Sequence, residues 1–438
     1  MRPADNAFAQ ATIPAVATYH NDPQRTGQNL QETILTPANV NSTQFGKLFS
    51  YPVDGQLYTQ PLYVPGVTIP GKGVHNVVYV TTEADSVYAF DADNAAANPA
   101  PLWYVSFAKP PKVVAVPANC NNSSCTIQPT QGITGTPVIS TENKTIYLVA
   151  RTQETTTAGK LSHAGTGGDN YGDSVVKLHL TAGATKGTYR FTVEDYFTPS
   201  DQECRSQNDA DLGSGRVMVL PTQTGPAPHE LLAAGKGNPK CDSSSPIELV
   251  NTQNMGKLGG QVQSIQGSIN GYFATPAYWE PASGRRFIYL GGLVFAGLGD
   301  YLRQYSISKG NIDPATSIAE SPEMFKVGAT PSVSANGGTN GIVWAIERPD
   351  ALEPPISVHP SVLRAYDARN IATELYNSNM NPTRDAAAPA NKFAVPTVVN
   401  GKVYVGNKPS WTYTAYFPKP MKTATNAHFM TAGGTFDS

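Results

Sequence analysis

The chain is predicted to be all-β: a β-propeller of four-stranded antiparallel blades, about five to seven of them, set in a reduced or partly open ring. Three observations predict this. Punctuation is dense, with 39 Gly and 36 Pro among 438 residues and only 15% charged residues, so the apolar runs are short and bounded by turns. A polar or small residue, a proline and then a strand recur along the chain. A Tyr-Ala-Phe-Asp-Ala-Asp element also returns in degenerate copies.

The stretch from Gly73 to Trp103 shows the unit most completely. Val77 to Thr81 and Ser86 to Phe90 are β-branched and aromatic runs separated by a short polar break, which predicts an antiparallel hairpin. An Asp- and Asn-rich turn follows, and Leu102-Trp103 opens another apolar segment. Copies of the second run stand at Leu363 to Arg369, Leu302 to Ser308 and Val176 to Thr181.

The proline signal appears at Gln60-Pro61, Thr136-Pro137, Thr275-Pro276, Thr330-Pro331 and Val395-Pro396. Each is followed by a second apolar strand, respectively at Val77 to Thr81, Thr145 to Ala150, Arg286 to Gly291, Gly341 to Ile346 and Gly401 to Gly406. Proline cannot donate to a sheet ladder and belongs at a strand's first residue or at an edge, so these are strand entries. Pro276 to Pro331 spans 55 residues and Pro331 to Pro396 spans 65, suited to four-stranded blades with inserted loops. Stacked about an axis, such sheets cover each other's faces.

One propeller domain is expected over residues 17–417, after an N-terminal extension at 1–16 and before a disordered tail at 418–438. Ala7-Phe8-Ala9 has the small-x-small form of a signal cleavage site, without the apolar stretch that precedes one. The strand-like run from Asn407 to Phe417 is stopped by Pro418 and Pro420, which leaves closure of the ring by the two chain ends doubtful.

A formal net charge of −2 and the lack of a basic stripe argue against nucleic acid as partner. No run of about 18 apolar residues is present to span a membrane. Cys120, Cys125, Cys204 and Cys241 form an even set; a local bridge between Cys120 and Cys125 is sterically plausible, and the pairing is open. With sequons at Asn41, Asn122 and Asn143, they point to an extracellular or periplasmic protein.

Ala89-Phe90-Asp91-Ala92-Asp93 with Leu102-Trp103 resembles the tryptophan-docking repeat of the quinoprotein alcohol dehydrogenase-like propellers, which carry pyrroloquinoline-quinone-like repeats. The entry segment from Ala17 to Val40, Gly132 to Pro137, Thr330 to Gly337 and Ala372 to Ser378 carry the same resemblance, over about residues 17 to 407. Where the segment after Arg151 should close its own repeat, the chain passes into Asp173 to Leu178, which resembles a later blade.

The resemblance implies pyrroloquinoline quinone and calcium on the axis, held by carboxylate and amide oxygens beside a vicinal disulfide. This chain has no adjacent cysteines and no Gly-Asn-Gly. Glu154 loosely matches the family's cofactor-side Glu, and Asp169 and Asp173 lie in a loop similar to a shared strand entry. These three are the catalytic candidates. His20, Asp22 and Arg25 in the entry segment, with Arg151, are the ligand-binding candidates, because they bring charge and proton-transfer capacity to turns. No Gly-x-Ser-x-Gly, His-Glu-x-x-His, Walker or Cys-x-x-Cys pattern is present. The reading is a ligand-binding or interaction module without a competent quinone site, taking a small molecule, glycan or protein on the propeller face. The alternative is an oxidoreductase or other axial-site enzyme.

Overall fold

The computed structural model describes residues 13–418 except 96–98, 119–126, 128, 143, 155–173, 183–188, 209, 211, 237–239, 242–245, 267–273, 293–298, 350–358, 392 and 408–411. Its strands form eight small sheets, antiparallel but for two short parallel pairings. Sheet I contains Leu62–Ile69, Gly73–Thr81, Ser86–Asp91 and Trp103–Ser106 in chain order, which is the predicted unit. Val77 to Thr81 pair with Val87 to Asp91, and Trp103 sits opposite Ala89 with its ring 5.9 Å from that of Tyr79.

Sheets II and III are fragments: Val138–Ser140 with Thr145–Tyr147, and Val113–Pro117 between Thr130–Gln131 and Thr152–Glu154. The strand after Arg151 thus joins an earlier segment instead of completing sheet II. Sheet IV is the hairpin Val175–Ala182 and Tyr189–Thr198 with Lys257–Leu258. Sheet V holds Val217–Val219, Glu230–Ala234, Pro246–Asn251 and Gln263–Gln266. Sheet VI runs from Ala277–Trp279 through Arg286–Gly291 to Asp300–Ser308, which pairs with both Asn311–Ile312 and Ala319–Phe325. Sheet VII holds Ser332–Asn336, Thr339–Glu347, Val362–Asp367 and Glu374–Asn377.

Sheet VIII corrects the expectation about closure. Its strands Thr397–Val399 and Lys402–Gly406 lead to Thr412–Pro418, which pairs along its length with Phe45–Pro52. The two ends of the chain therefore share one sheet, and the edge that Pro418 seemed to leave bare is covered. Pro418 sits at the strand's last residue, opposite Phe45, where its missing N–H costs nothing in the interior of the ladder.

Alternation explains why the sheets stack. On Thr339–Glu347, Ile342, Trp344 and Ile346 pack with Val398, Val403 and Val405 of sheet VIII, while Val343 and Ala345 pack with Tyr289 and Leu302 of sheet VI. On Arg286–Gly291 the same period sends Phe287 and Tyr289 toward sheet VII, and Ile288 and Leu290 toward sheet V. Successive strand residues face opposite ways, so a strand apolar at every position needs a neighbour on each side. The resulting order of contact is II, I, VIII, VII, VI, V, IV.

The proline entries lie at the hub and latch neighbouring sheets. Ser332 Oγ donates to Pro396 O at 2.7 Å, Thr397 Oγ1 to Pro61 O at 2.6 Å, and Gln60 N to Thr136 Oγ1 at 2.9 Å. In two of these a carbonyl ahead of a first strand is met by a hydroxyl from the next sheet, and in the third a hydroxyl accepts from a backbone N–H, which fixes the relative height of the sheets.

Residues 13–31 run through the hub as a hairpin. Of the extension expected at 1–16, residues 13–16 are described, and Val16 exchanges both backbone bonds with Tyr63. Ala17 O then accepts from Ile139 N, Gln24 O from Val219 N, Thr26 O from Tyr278 N and Gly27 O from Val333 N, and Asn29 Nδ2 donates to Val398 O. This one segment touches the first strands of sheets I, II, V, VI, VII and VIII. The tail beyond Pro418 lies outside the described residues.

Candidate functional site

Two polar turns carry the candidate residues. The first is the bend of the hub hairpin, His20 to Gly27. His20 is fully buried; its N–H donates to Gln60 Oε1 at 2.7 Å, Nδ1 faces Arg25 O at 2.7 Å and Nε2 faces Pro331 O at 2.8 Å. Burial pushes its imidazole below the ordinary value, against the pull of those carbonyls and of Asp22. Only the imidazolium can donate to both carbonyls, so the neutral ring leaves one of them unserved. Gly27, at φ 69°, is required: a Cβ there would fall 2.4 Å from His20 Cε1.

Asp22 takes Thr26 N at 3.1 Å and the Thr26 hydroxyl, which holds the bend shut. Arg25 is exposed, with its guanidinium over the Tyr19 ring. The sequence-predicted group of His20, Asp22 and Arg25 is therefore one structural unit. His20 and Asp22 spend their polar atoms on it, and Arg25 does not.

The second turn joins two strands of sheet I and carries Glu83 and Asp85, both buried. Glu83 Oε2 accepts from Gly132 N at 2.7 Å and from Thr134 Oγ1 at 3.0 Å, and Asp85 Oδ1 accepts from Arg151 N at 3.2 Å. Among the described residues Glu83 Oε1 and Asp85 Oδ2 have no hydrogen-bond partner, and neither has Oε1 of buried Gln56, whose backbone carbonyl holds Glu83 N at 2.9 Å. Gly132 fits between the two acids; a Cβ would meet Glu83 O at 2.6 Å and Asp85 Oδ1 at 2.8 Å. Loss of water raises both carboxyls, Asp85 to about 6, and Asp85 raises Glu83 further. Asp85 can therefore hold or release a proton near pH 6, and Glu83 holds its proton more tightly than an ordinary carboxyl.

Arg151 thus belongs to this turn and not to the hairpin bend; its Nη1 also donates to Gln131 Oε1 at 2.6 Å. Glu154 is placed by its backbone on the edge of sheet III, opposite Val113. Asp169, Asp173, Cys120 and Cys125 lie outside the described residues. Cys204 and Cys241 form a disulfide, closing one of the pairings left open, with Cα atoms 5.5 Å apart. Glu83, Asp85, Gln56 and Arg216 were not singled out in the sequence. Glu83 and Asp85 read as turn formers, and the signal of their burial lies in the separate Gly132 to Thr136 segment that covers them.

The resemblance would place a quinone and its metal on the axis. Residues 13–31 bond to the first strands of six sheets, and among the described residues no group of three or more His, Cys, Asp or Glu is arranged to hold a metal.

No family model matches the chain, and no curated protein matches it. Among solved structures it is similar to the quinohemoprotein alcohol dehydrogenase ADHIIG of Pseudomonas putida HK5, at 12% identity and TM-score 0.37, over 95% of this chain and 82% of that one. It is also similar to a europium-containing methanol dehydrogenase, at 11% identity and TM-score 0.31, over 91% and 85% of the two chains. A third is the Dos1 propeller, at 8% identity and TM-score 0.28, over 86% and 93%. No argument about function is taken from likenesses of this size. No helix among the described residues is long and apolar enough to cross a membrane.

Proposed function

We propose that this chain is a ligand-binding propeller that takes a small, donor-rich molecule, a polyol, sugar or amino sugar, at the turn of Glu83 and Asp85. The observation that supports the reading is the set of buried acceptor oxygens without donors among the described residues: Glu83 Oε1, Asp85 Oδ2 and Gln56 Oε1. An unpaired buried acceptor costs on the order of 1–3 kcal/mol, and a ligand bearing hydroxyl or ammonium groups recovers that cost on binding. Gly132 and Thr134 brace the opposite oxygen of Glu83, so the acceptors are held in place before the ligand arrives.

The Cys204–Cys241 disulfide supports an extracellular or periplasmic setting. The enzyme alternative would use the raised carboxyls as acid and base; the unpaired acceptor oxygens favour binding as the first reading.

Saturation-transfer NMR on the full chain with glucose, mannitol and glucosamine tests this. At least one should give transfer that Glu83→Gln with Asp85→Asn abolishes while the fold persists. Absence of transfer from all three, or transfer unchanged in the double variant, removes the proposal.

A further inference from the structure

At the hub end, two arginines converge on one aromatic ring. Arg25 closes the hairpin bend; Arg216 follows the 3-10 turn Leu212–Gly215 and precedes the first strand of sheet V. Their Cζ atoms lie 5.8 and 4.5 Å from the centroid of the Tyr19 ring, so they can be no farther apart than those two distances together. The bond from Val219 N to Gln24 O, 3.0 Å, ties the two segments side by side.

The ring is a fixed platform. Tyr19 OH is hydrogen-bonded to Thr275 Oγ1 at 2.8 Å, and its face stacks on His20 at 5.6 Å. Both arginines are exposed, and among the described residues neither guanidinium has an ion-pair or side-chain hydrogen-bond partner. Asp22, the acid of the bend, is committed to Thr26.

Backbone geometry adds an independent observation. Arg25 has φ 60° and Arg216 φ 62°, the left-handed region that a side chain with a Cβ enters only against steric resistance. Asparagine or glycine would stand there more easily. Two long cations nevertheless occupy both positions, each gaining a cation-π contact with the same ring while repelling the other. Non-glycine residues held in this way are a mark of functional sites.

We infer that Arg25 and Arg216 form an oxyanion site, a clamp for a carboxylate or phosphate group of a small ligand seated over the exposed end of the hub. The planar guanidinium fork matches either oxyanion with two parallel N–H bonds, and one anion relieves the repulsion between the two cations. The site stands apart from the Glu83–Asp85 turn, whose oxygens call for donors, and does not depend on a ligand there.

The test is isothermal titration of the full chain at low salt with inorganic phosphate, glucuronate and glucose. Phosphate, glucuronate or both should bind, with glucuronate favoured over glucose; which oxyanion binds identifies the source. Arg25→Asn and Arg216→Asn should each weaken that binding about 10- to 100-fold. Because asparagine tolerates the left-handed backbone, neither should lower the melting temperature. Arg216→Lys, which keeps the charge and loses the fork, should retain part of the affinity. The combination Glu83→Gln with Asp85→Asn should leave phosphate binding untouched, so failure of either site shows separately. Wild-type protein that binds neither oxyanion, or asparagine variants that bind as tightly as wild type, overturns the inference. So does a fall in melting temperature with binding unchanged, which would make the arginines structural covers for Tyr19.

Discussion

The arc of sheets VI, VII, VIII and I and the sheets beyond its two ends, sheet II on one side and sheet IV as an outer arm past sheet V on the other, are built from the same strand vocabulary, yet they are held differently. In the arc every central strand has a neighbour on both faces, and Trp279, Trp344, Tyr289, Tyr366 and Tyr376 are fully buried. In those outer sheets the strands are short or few, and large apolar side chains stand in water: Val149 is 79% exposed and Leu258 67%. A cleft of about 460 Å³ opens between sheets IV and V, lined by Val175, Leu212, Val217, Leu231 and Met255. The difference teaches that a propeller strand gains its stability from the sheet beside it, and that where a neighbour is thin another device must serve. Here that device is the disulfide from Cys204, in the segment after sheet IV, to Cys241, between two strands of sheet V.

The contrast can be broken most sharply at Trp344. Its side chain packs across sheets VII and VIII and its Nε1 donates to Ser334 Oγ at 2.8 Å, so Trp344→Ala should cost about 3–5 kcal/mol in denaturant unfolding. A loss below 1 kcal/mol would mean the arc is no tighter than the arm. Next in size, Cys204→Ser with Cys241→Ser should cost about 2–4 kcal/mol. It should speed amide exchange over the strands of sheets IV and V while leaving sheet VII protected; uniform acceleration would deny the arm its separate support.

A smaller effect follows from pH. Asp85 is raised to about 6, and Glu230 and Glu323 each to about 7, all chiefly by loss of water. A carboxyl raised in the folded state binds its proton more tightly there than in the unfolded chain. Its contribution is complete below the unfolded value and disappears as pH rises through 6 to 7. Thermal unfolding should therefore drop between about pH 4 and 7, and Asp85→Asn should remove the part of that slope that ends near pH 6. A flat profile in wild type would contradict the burial. Smallest of all, Leu178→Ser in the arm should fall within about 0.5 kcal/mol, since that side chain is already half in water.

Much of the arc was legible in the sequence and little of the hub was. Proline at a strand entry and a two-residue period are local signals, so Pro276, Pro331 and Pro396 marked their strands and Ser86 to Phe90 found its hairpin partner. Phe45–Pro52 was missed as the closing strand because its partner lies at Thr412–Pro418, and no local pattern encodes a pairing across that distance. For the same reason residues 13–31 read as an entry segment, although their partners run from Tyr63 to Val398. In the candidate site, His20, Asp22 and Arg25 were visible as a polar cluster in one turn. Glu83 and Asp85 passed for ordinary turn residues, since what makes them unusual is the Gly132 to Thr136 segment folded over them. Arg216 carried no signal: its left-handed backbone and its place over Tyr19 exist only once sheet V reaches the hub.

The seam between Phe45–Pro52 and Thr412–Pro418 has a consequence for how the protein is made. During translation the early strand emerges with an open hydrogen-bonding edge, and its mate follows only after all the intervening sheets have been made. A nascent chain must carry that sticky edge through the synthesis of those sheets, in reach of other unfinished copies, and pairing with the late strand is what removes it.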